Sequence, residues 1–180
     1  MKFSTSTVLC LLSAGAYSAV IGVRDGTAVK AVLSSIQSGI DSLTVAAKDF
    51  NGSIQPVSEE SNKLIDVIAS GTATIRDSTN LGIGEVFGLI SPVKELHQHA
   101  QMLSDEFKGR ISTIEQARSC TFTRDQLGRI SDGTSALIDA LVSKVPSAAQ
   151  GVAMNQASKI TAIIEDAKAS LAEDKCVDTL

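Results

Sequence analysis

Residues 120–176 read CTFTRDQLGRISDGTSALIDALVSKVPSAAQGVAMNQASKITAIIEDAKASLAEDKC. Thr123-Arg-Asp-Gln126 matches a capping box, and Phe122 is placed to staple onto Leu127, so the pattern predicts a helix start there. Leu127, Ile130, Thr134, Leu137 and Leu141 then recur at three- and four-residue spacing along one face until Pro146 stops it. Ser147-Ala-Ala-Gln150 is a second capping box, opening the stripe Ala153, Ala157, Ile160, Ile164, Ala167, Leu171. The two helices therefore fold back on each other at Val145-Pro146. At about 1.5 Å per residue both are roughly 30 to 37 Å long, which returns Cys120 and Cys176 to one end of the hairpin. Antiparallel neighbours there can meet the limit of about 7 Å between alpha carbons that a disulfide sets.

The redox setting for that bridge is read from the other end of the chain. Lys2 precedes the apolar run Val8 to Leu12 and the small residues Ser13 to Ala16, the layout of a secretory signal peptide too short to span a bilayer. Ala14-x-Ala16 and Ala16-x-Ser18 place cleavage between residues 16 and 19, with a propeptide ending near Arg24 as the alternative. The expected division is a signal peptide at 1–18 and one domain at 19–180. Cys10 leaves with the signal, and the remaining even pair, Cys120 and Cys176, fits one bridge in an oxidising compartment.

The sequence is 43% hydrophobic but only 3% aromatic, without tryptophan, so core volume must come from Ile, Leu, Val and Ala. Removing Lys2 takes the formal charge from -4 to -5, and no Lys/Arg cluster offers a nucleic acid its phosphate contacts. Val29, Val32, Leu33, Ile36, Ile40, Leu43, Ala47 and Phe50 form the stripe of a long first helix, ended by Asn51-Gly52. Asn51-Gly-Ser53 is also an N-glycosylation acceptor at an exposed corner. Pro56 opens a second helix with Val57, Ser61, Leu64, Ile68, Thr72 and Ile75 inward, locally weakened by Gly71. Three glycines between Leu81 and Ile90, followed by Ser91-Pro92, predict a short helix or bend, then a third long helix from Pro92 to about Lys108 with Val93, Leu96, Ala100, Leu103 and Phe107 inward. Residues 109–119 read as a connection, with a helical extension through Ile111 and Ile114 as the alternative. The fold class is all-α, an up-and-down bundle of about five helices.

Chemistry-bearing motifs are scarce. His97 and His99 lie two apart, so on a helix they diverge and make a poor metal pair. There is no Gly-x-Ser-x-Gly elbow or His-Glu-x-x-His, and Gly82-Ile-Gly84 lacks the strand of a dinucleotide turn. Glu59-Glu60 and Asp105-Glu106 read as solvated surface. The expectation is a protein without catalytic residues, metal or cofactor.

The stripes themselves carry more. Ser61, Thr72, Ala100, Thr134, Ala153, Ala157 and Ala167 stand where a packed bundle places Leu or Ile. Small residues there permit either close helix approach or an apolar cavity with hydroxyls for a ligand's polar end. The cavity reading names Ile36, Ile40, Leu64, Ile68, Leu137 and Ile160 as bulky walls, with Thr72, Thr134 and Ala157 as the small positions between them.

Ile36-x-x-x-Ile40-Asp41-x-Leu43, the helix end Phe50-Asn51-Gly52, and Leu137-x-x-x-Leu141-x-x-Lys144-x-Pro146 leading into an Ala-rich last helix give the chain its resemblance to a known family. Over roughly residues 25 to 173 it resembles the fungal hydrophobic surface binding protein A family, also called the cell wall galactomannoprotein family. The resemblance implies a helical bundle that either encloses fatty acids or sterols or adsorbs to hydrophobic surfaces and recruits secreted hydrolases. It carries no catalytic or ligand-contact motif onto numbered positions. Some members continue into a Ser/Thr/Pro-rich stalk and lipid-anchor signal, whereas Cys176-Val-Asp-Thr-Leu180 has no apolar tail. The resulting expectation is a secreted monomer, with any cell-wall association noncovalent and no transmembrane anchor, whose ligand is a long-chain fatty acid or sterol.

Overall fold

A computed structural model describes residues 25–178, so the expected signal peptide lies outside the described residues. Six helices follow one another: α1 (Asp25–Lys48), α2 (Gln55–Asp77), α3 (Ile83–Gly109), α4 (Ile111–Gln116), α5 (Cys120–Lys144) and α6 (Ser147–Ser170). The long helices are those the apolar spacing predicts. Along α1, for example, Val29, Leu33, Ile36, Ile40, Leu43 and Ala47 are buried, with Val32 and Ala46 partly buried beside them. Gly52, at φ +107°, turns the chain between α1 and α2 in a conformation that penalises any side chain. The Asn51 corner is exposed, as expected.

α1 packs against α2 and α3, α2 against α5, α5 against α6, and α6 against α3, so the five long helices close a ring. One end of the ring, the turn end, gathers the starts of α1, α3 and α6. There the Glu85 carboxylate accepts the backbone N–H groups of Gly26, at 3.1 Å, and Gly82, at 2.8 Å, satisfying orphan donors of two helix starts at once. The Lys144 ammonium donates to the carbonyls of Arg76 and Ser78, which lie past the end of the α2 stripe. Gly71 does more than weaken α2: a β-carbon on it would come within 2.6 Å of Val32 Cγ1, so it permits the close α1–α2 approach. Among the described residues no helix is long and apolar enough to cross a membrane.

Two local expectations, at Pro92 and at the capping boxes, are corrected. Pro92 does not break the chain; α3 runs through it. A proline inside a helix costs about 3 kcal/mol or more, but Val86 and Leu89 before it and Leu96 after it are buried on one face, and each such burial is worth roughly 1.5 to 3 kcal/mol. Between residues 109 and 119 the helical alternative is the one found: α4 begins at Ile111 and buries Ile114. Neither expected capping box forms. α5 starts three residues earlier than Thr123, whose hydroxyl donates to the Ser119 carbonyl instead, and Pro146 occupies the cap of α6 while the Gln150 amide donates back to the Val145 carbonyl.

The earlier start of α5 has a tertiary cause. Cys120 and Cys176 are bridged, with alpha carbons 5.6 Å apart, and the bridge brings Asp178 over the first turn of α5. Its carboxylate accepts the N–H of Cys120 at 2.7 Å, the hydroxyl of Thr121 at 2.7 Å and the N–H of Thr121 at 3.2 Å. Arg124 completes the strap by donating to the carbonyls of Leu171 and Cys176. These donors, the Thr121 hydroxyl foremost and the Cys120 N–H next, hold the Asp178 pKa below its usual value. A carboxylate depressed in the native state stabilises it above the unfolded pKa, and that contribution is lost as pH falls through the native value. Asp178→Ala is therefore expected to lower the urea midpoint at neutral pH, with the gap to the parent closing below about pH 4. A gap that stays constant down to acid would exclude the charge as its source.

Candidate ligand-binding cavity

Ring closure has a geometric consequence for the interior. Five helices spaced about 9 Å apart in a closed ring set each axis about 7.7 Å from the centre, whereas a helix with its side chains has a radius of only about 5 to 6 Å. Large side chains must fill the difference, and the inward positions of this chain supply few. Along the ring axis lies a cavity of about 150 Å³, counted as the space open to the centres of water-sized spheres. Every long helix contributes wall, and Phe107 is the one aromatic residue on it. Ala100, Ala153, Ala157 and Ala167 are all on the wall, so these alanines leave space unfilled between the helices.

Of the residues singled out from the sequence, Ile36, Ile40, Leu64, Ile68, Thr134, Leu137, Ala157 and Ile160 stand on this wall. Thr72 does not. It is buried off the cavity, and its hydroxyl donates to the Ile68 carbonyl at 2.8 Å. Each four-residue step along a helix overshoots a full turn by about 40°, so a position two such steps beyond Leu64 has rotated off the cavity bearing.

Ser104 and Gln156 were missed by the spacing argument. Ser104 lies on the wall, is only 3% exposed, and its hydroxyl has no hydrogen-bond partner among the described residues. A buried hydroxyl left unpaired costs about 1 to 3 kcal/mol, which makes it a marker for a bound polar atom. The signal was its position four residues after Ala100, overshadowed by Leu103 and Phe107 on the same face. Ser104, Thr134 and Gln156 are the polar side chains of an otherwise apolar lining.

The cavity is bounded towards the disulfide end. Phe107 borders both it and a space of about 10 Å³ lined by Phe50, Val57, Ile114 and Thr123, and so forms the partition towards the disulfide. Val152, at the start of α6, is a wall residue and yet 46% exposed, so the wall reaches solvent beside it. Ser104 thus sits near the floor.

No competing chemical centre is assembled elsewhere among the described residues. The one group with metal-ligand proximity is Glu115, Cys120 and Cys176, and its two sulfurs are joined to each other. His99 meets the Asp41 carboxylate through Nδ1 and the Gln37 amide through Nε2, tying α3 to α1.

Comparison with known proteins follows the same geometry. A family model described as hydrophobic surface binding protein A matches residues 26–143. Cell wall mannoprotein 1 of Aspergillus fumigatus is 25% identical over 166 residues, which cover 92% of this chain and 58% of that protein, so the chain spans under two thirds of that relative. Ligand-binding domain 1 of the Penicillium marneffei MP1 protein, complexed with arachidonic acids, superposes with a TM-score of 0.80 at 15% identity, over 83% of this chain and 99% of that one. AFMP4P in complex with palmitic acid superposes at 0.77 with 17% identity, over 82% and 99%. At these identities the solved structures establish a shared fold.

Proposed function

The chain belongs to the hydrophobic surface binding protein A family, and we propose that it is an extracellular carrier, acting without catalysis, that holds a long-chain fatty acid or sterol along the axis of the helix ring. The observation that carries this reading is an apolar cavity with a buried, unpartnered hydroxyl, Ser104, near its closed end. Burying roughly twelve methylenes at about 0.8 kcal/mol each gives a gross gain near 10 kcal/mol before association costs, enough for micromolar affinity without a charged anchor. The fatty acids held by the MP1 domain and AFMP4P, which share the fold, support the same ligand class. Ile36, Ile40, Leu64, Ile68, Leu137, Ala157 and Ile160 contact the acyl chain in this reading. Ser104 meets its head, since Thr72 lies off the cavity with its hydroxyl already bonded to the Ile68 carbonyl.

Residence outside the cell, with noncovalent wall association, is the placement that best fits the Cys120–Cys176 bridge and the mannoprotein relative. Asn51, exposed beside Gly52, is the proposed glycan acceptor, to be checked by intact-mass measurement before and after deglycosylation. The alternative within the family is adsorption to hydrophobic surfaces with recruitment of a secreted hydrolase, for which the exposed Ile83, Phe87, Met102 and Met154 provide apolar area. The enclosed apolar wall favours the carrier, since an adsorbing protein needs its apolar surface outside.

The test is native mass spectrometry with lipid extraction, followed by titration of octadecanoic acid into the delipidated protein. Saturable binding of one or a few molecules is expected. Ser104→Ala should weaken it about tenfold, while the urea stability of the empty protein is unchanged or raised, because the substitution removes an unpaired hydroxyl. Absence of saturable binding for any long-chain acid or sterol overturns the carrier reading.

A further inference from the structure

The cavity holds a second polar point besides Ser104. Thr134 on α5 and Gln156 on α6 are both half-buried wall residues, and neither side chain hydrogen-bonds to another described residue. They stand at one level of the ring. The hairpin pivot at Val145-Pro146 sets Thr134 opposite Ala157, the neighbour of Gln156, across the α5–α6 seam. Their height relative to Ser104 is bracketed by two sets of contacts: the Lys108–Asp166 ion pair between α3 and the parallel α6, and the close approaches of Gly133 to Ile68, Gly71 to Val32 and Gly26 to Glu85, which lead from α5 through α2 and α1 to α3. By the first, Gln156, ten residues before Asp166, lies level with position 98 of α3, six residues short of Ser104; by the second, Thr134 lies level with about position 93, some eleven residues short. At about 1.5 Å per residue the two polar points are about 9 to 16 Å apart along the axis, with aliphatic wall between.

A saturated or simple unsaturated chain offers nothing to the Thr134–Gln156 pair and would cover a hydroxyl and an amide with methylenes, a cost in desolvation. Both side chains can donate and accept, so together they suit a hydroxyl or epoxide oxygen, which can accept from the amide and, as a hydroxyl, donate to Thr134. Carbon–carbon bonds of about 1.5 Å in an extended zigzag cover that distance from the head in about seven to thirteen bonds, which spans the middle of a long acyl chain. We infer that the preferred ligand is a long-chain acid oxygenated near mid-chain, its head at Ser104 and its second oxygen at Thr134 and Gln156. The inference rests on the carrier reading and names the ligand class within it.

Competition titrations on the delipidated protein separate the two. The probes are octadecanoic acid, the same acid carrying one mid-chain hydroxyl, and the isomer hydroxylated beside the carboxyl. The mid-chain hydroxy acid is expected to bind roughly tenfold tighter than octadecanoic acid, as one well-made hydrogen bond in an apolar site provides, and the isomer should gain nothing. In Thr134→Val/Gln156→Leu the ratio of the first two affinities should fall to about one. The wild-type comparison needs no variant to fold. If octadecanoic acid binds but the mid-chain hydroxy acid binds no better, the inference is overturned and the carrier reading stands; if none of the three binds saturably, both fall.

Discussion

Ala157→Phe is expected to abolish saturable fatty-acid binding, a loss of at least about a hundredfold, while leaving the far-ultraviolet helical signal largely intact. Ala157 is half-buried on the cavity face of α6, opposite Thr134 and beside Gln156. A phenyl ring there has two places to go, the cavity or solvent. Aromatic burial makes the cavity the favoured one, so the ring occupies the space the acyl chain needs. Filling an existing void avoids the strain of overpacking a full core, hence the expectation that the bundle survives. The loss corresponds to displacing several methylenes from the wall, each worth about 0.8 kcal/mol. Calorimetric titration of parent and variant with octadecanoic acid provides the check. Equal binding by the variant would show that the alanine stripe of α6 is close packing and that any ligand lies elsewhere.

Removal of the disulfide should have the largest effect on stability. The bridge closes a loop spanning 56 positions, and the chain-entropy relation assigns such a loop about 4 kcal/mol. Cys120→Ser/Cys176→Ser is therefore expected to lower the thermal midpoint by about 10 °C for a domain of this size. The loss reaches beyond entropy in the unfolded chain, because the same bridge delivers Asp178 to the first turn of α5 and holds the segment that Arg124 grips. Protection from hydrogen exchange at the start of α5 should fall in the variant along with the midpoint. A midpoint within about 2 °C of the parent would mean that the Asp178 and Arg124 contacts alone keep the strap in place.

Helix existence and the α5–α6 hairpin were legible in the sequence because apolar spacing reports a periodic face directly, and the hairpin in turn placed the cysteines together. Of the nine residues the cavity reading names, eight line the space, and Thr72 fails because α2 rotates past the cavity bearing. Helix starts were less legible. Thr123-Gln126 and Ser147-Gln150 satisfy the local pattern of a cap, yet a carboxylate 58 residues away in sequence from Cys120 serves α5, and Pro146 serves α6. Pro92 likewise reads as a break until the burial on both sides of it is known.

The sequence by itself determined an all-helical chain, its one hairpin disulfide, and an inward face poor in aromatic side chains. It left two packings open, since a stripe of alanines and hydroxyls is equally compatible with helices drawn close and with helices held apart. Only the tertiary structure decided between them. α3 packs on both α1 and α6 and α2 on α5, which closes a ring of five, and five neighbours in a ring hold one another away from the axis. Small residues on that inner face then border empty space, and the hydroxyl of Ser104 faces it without a partner.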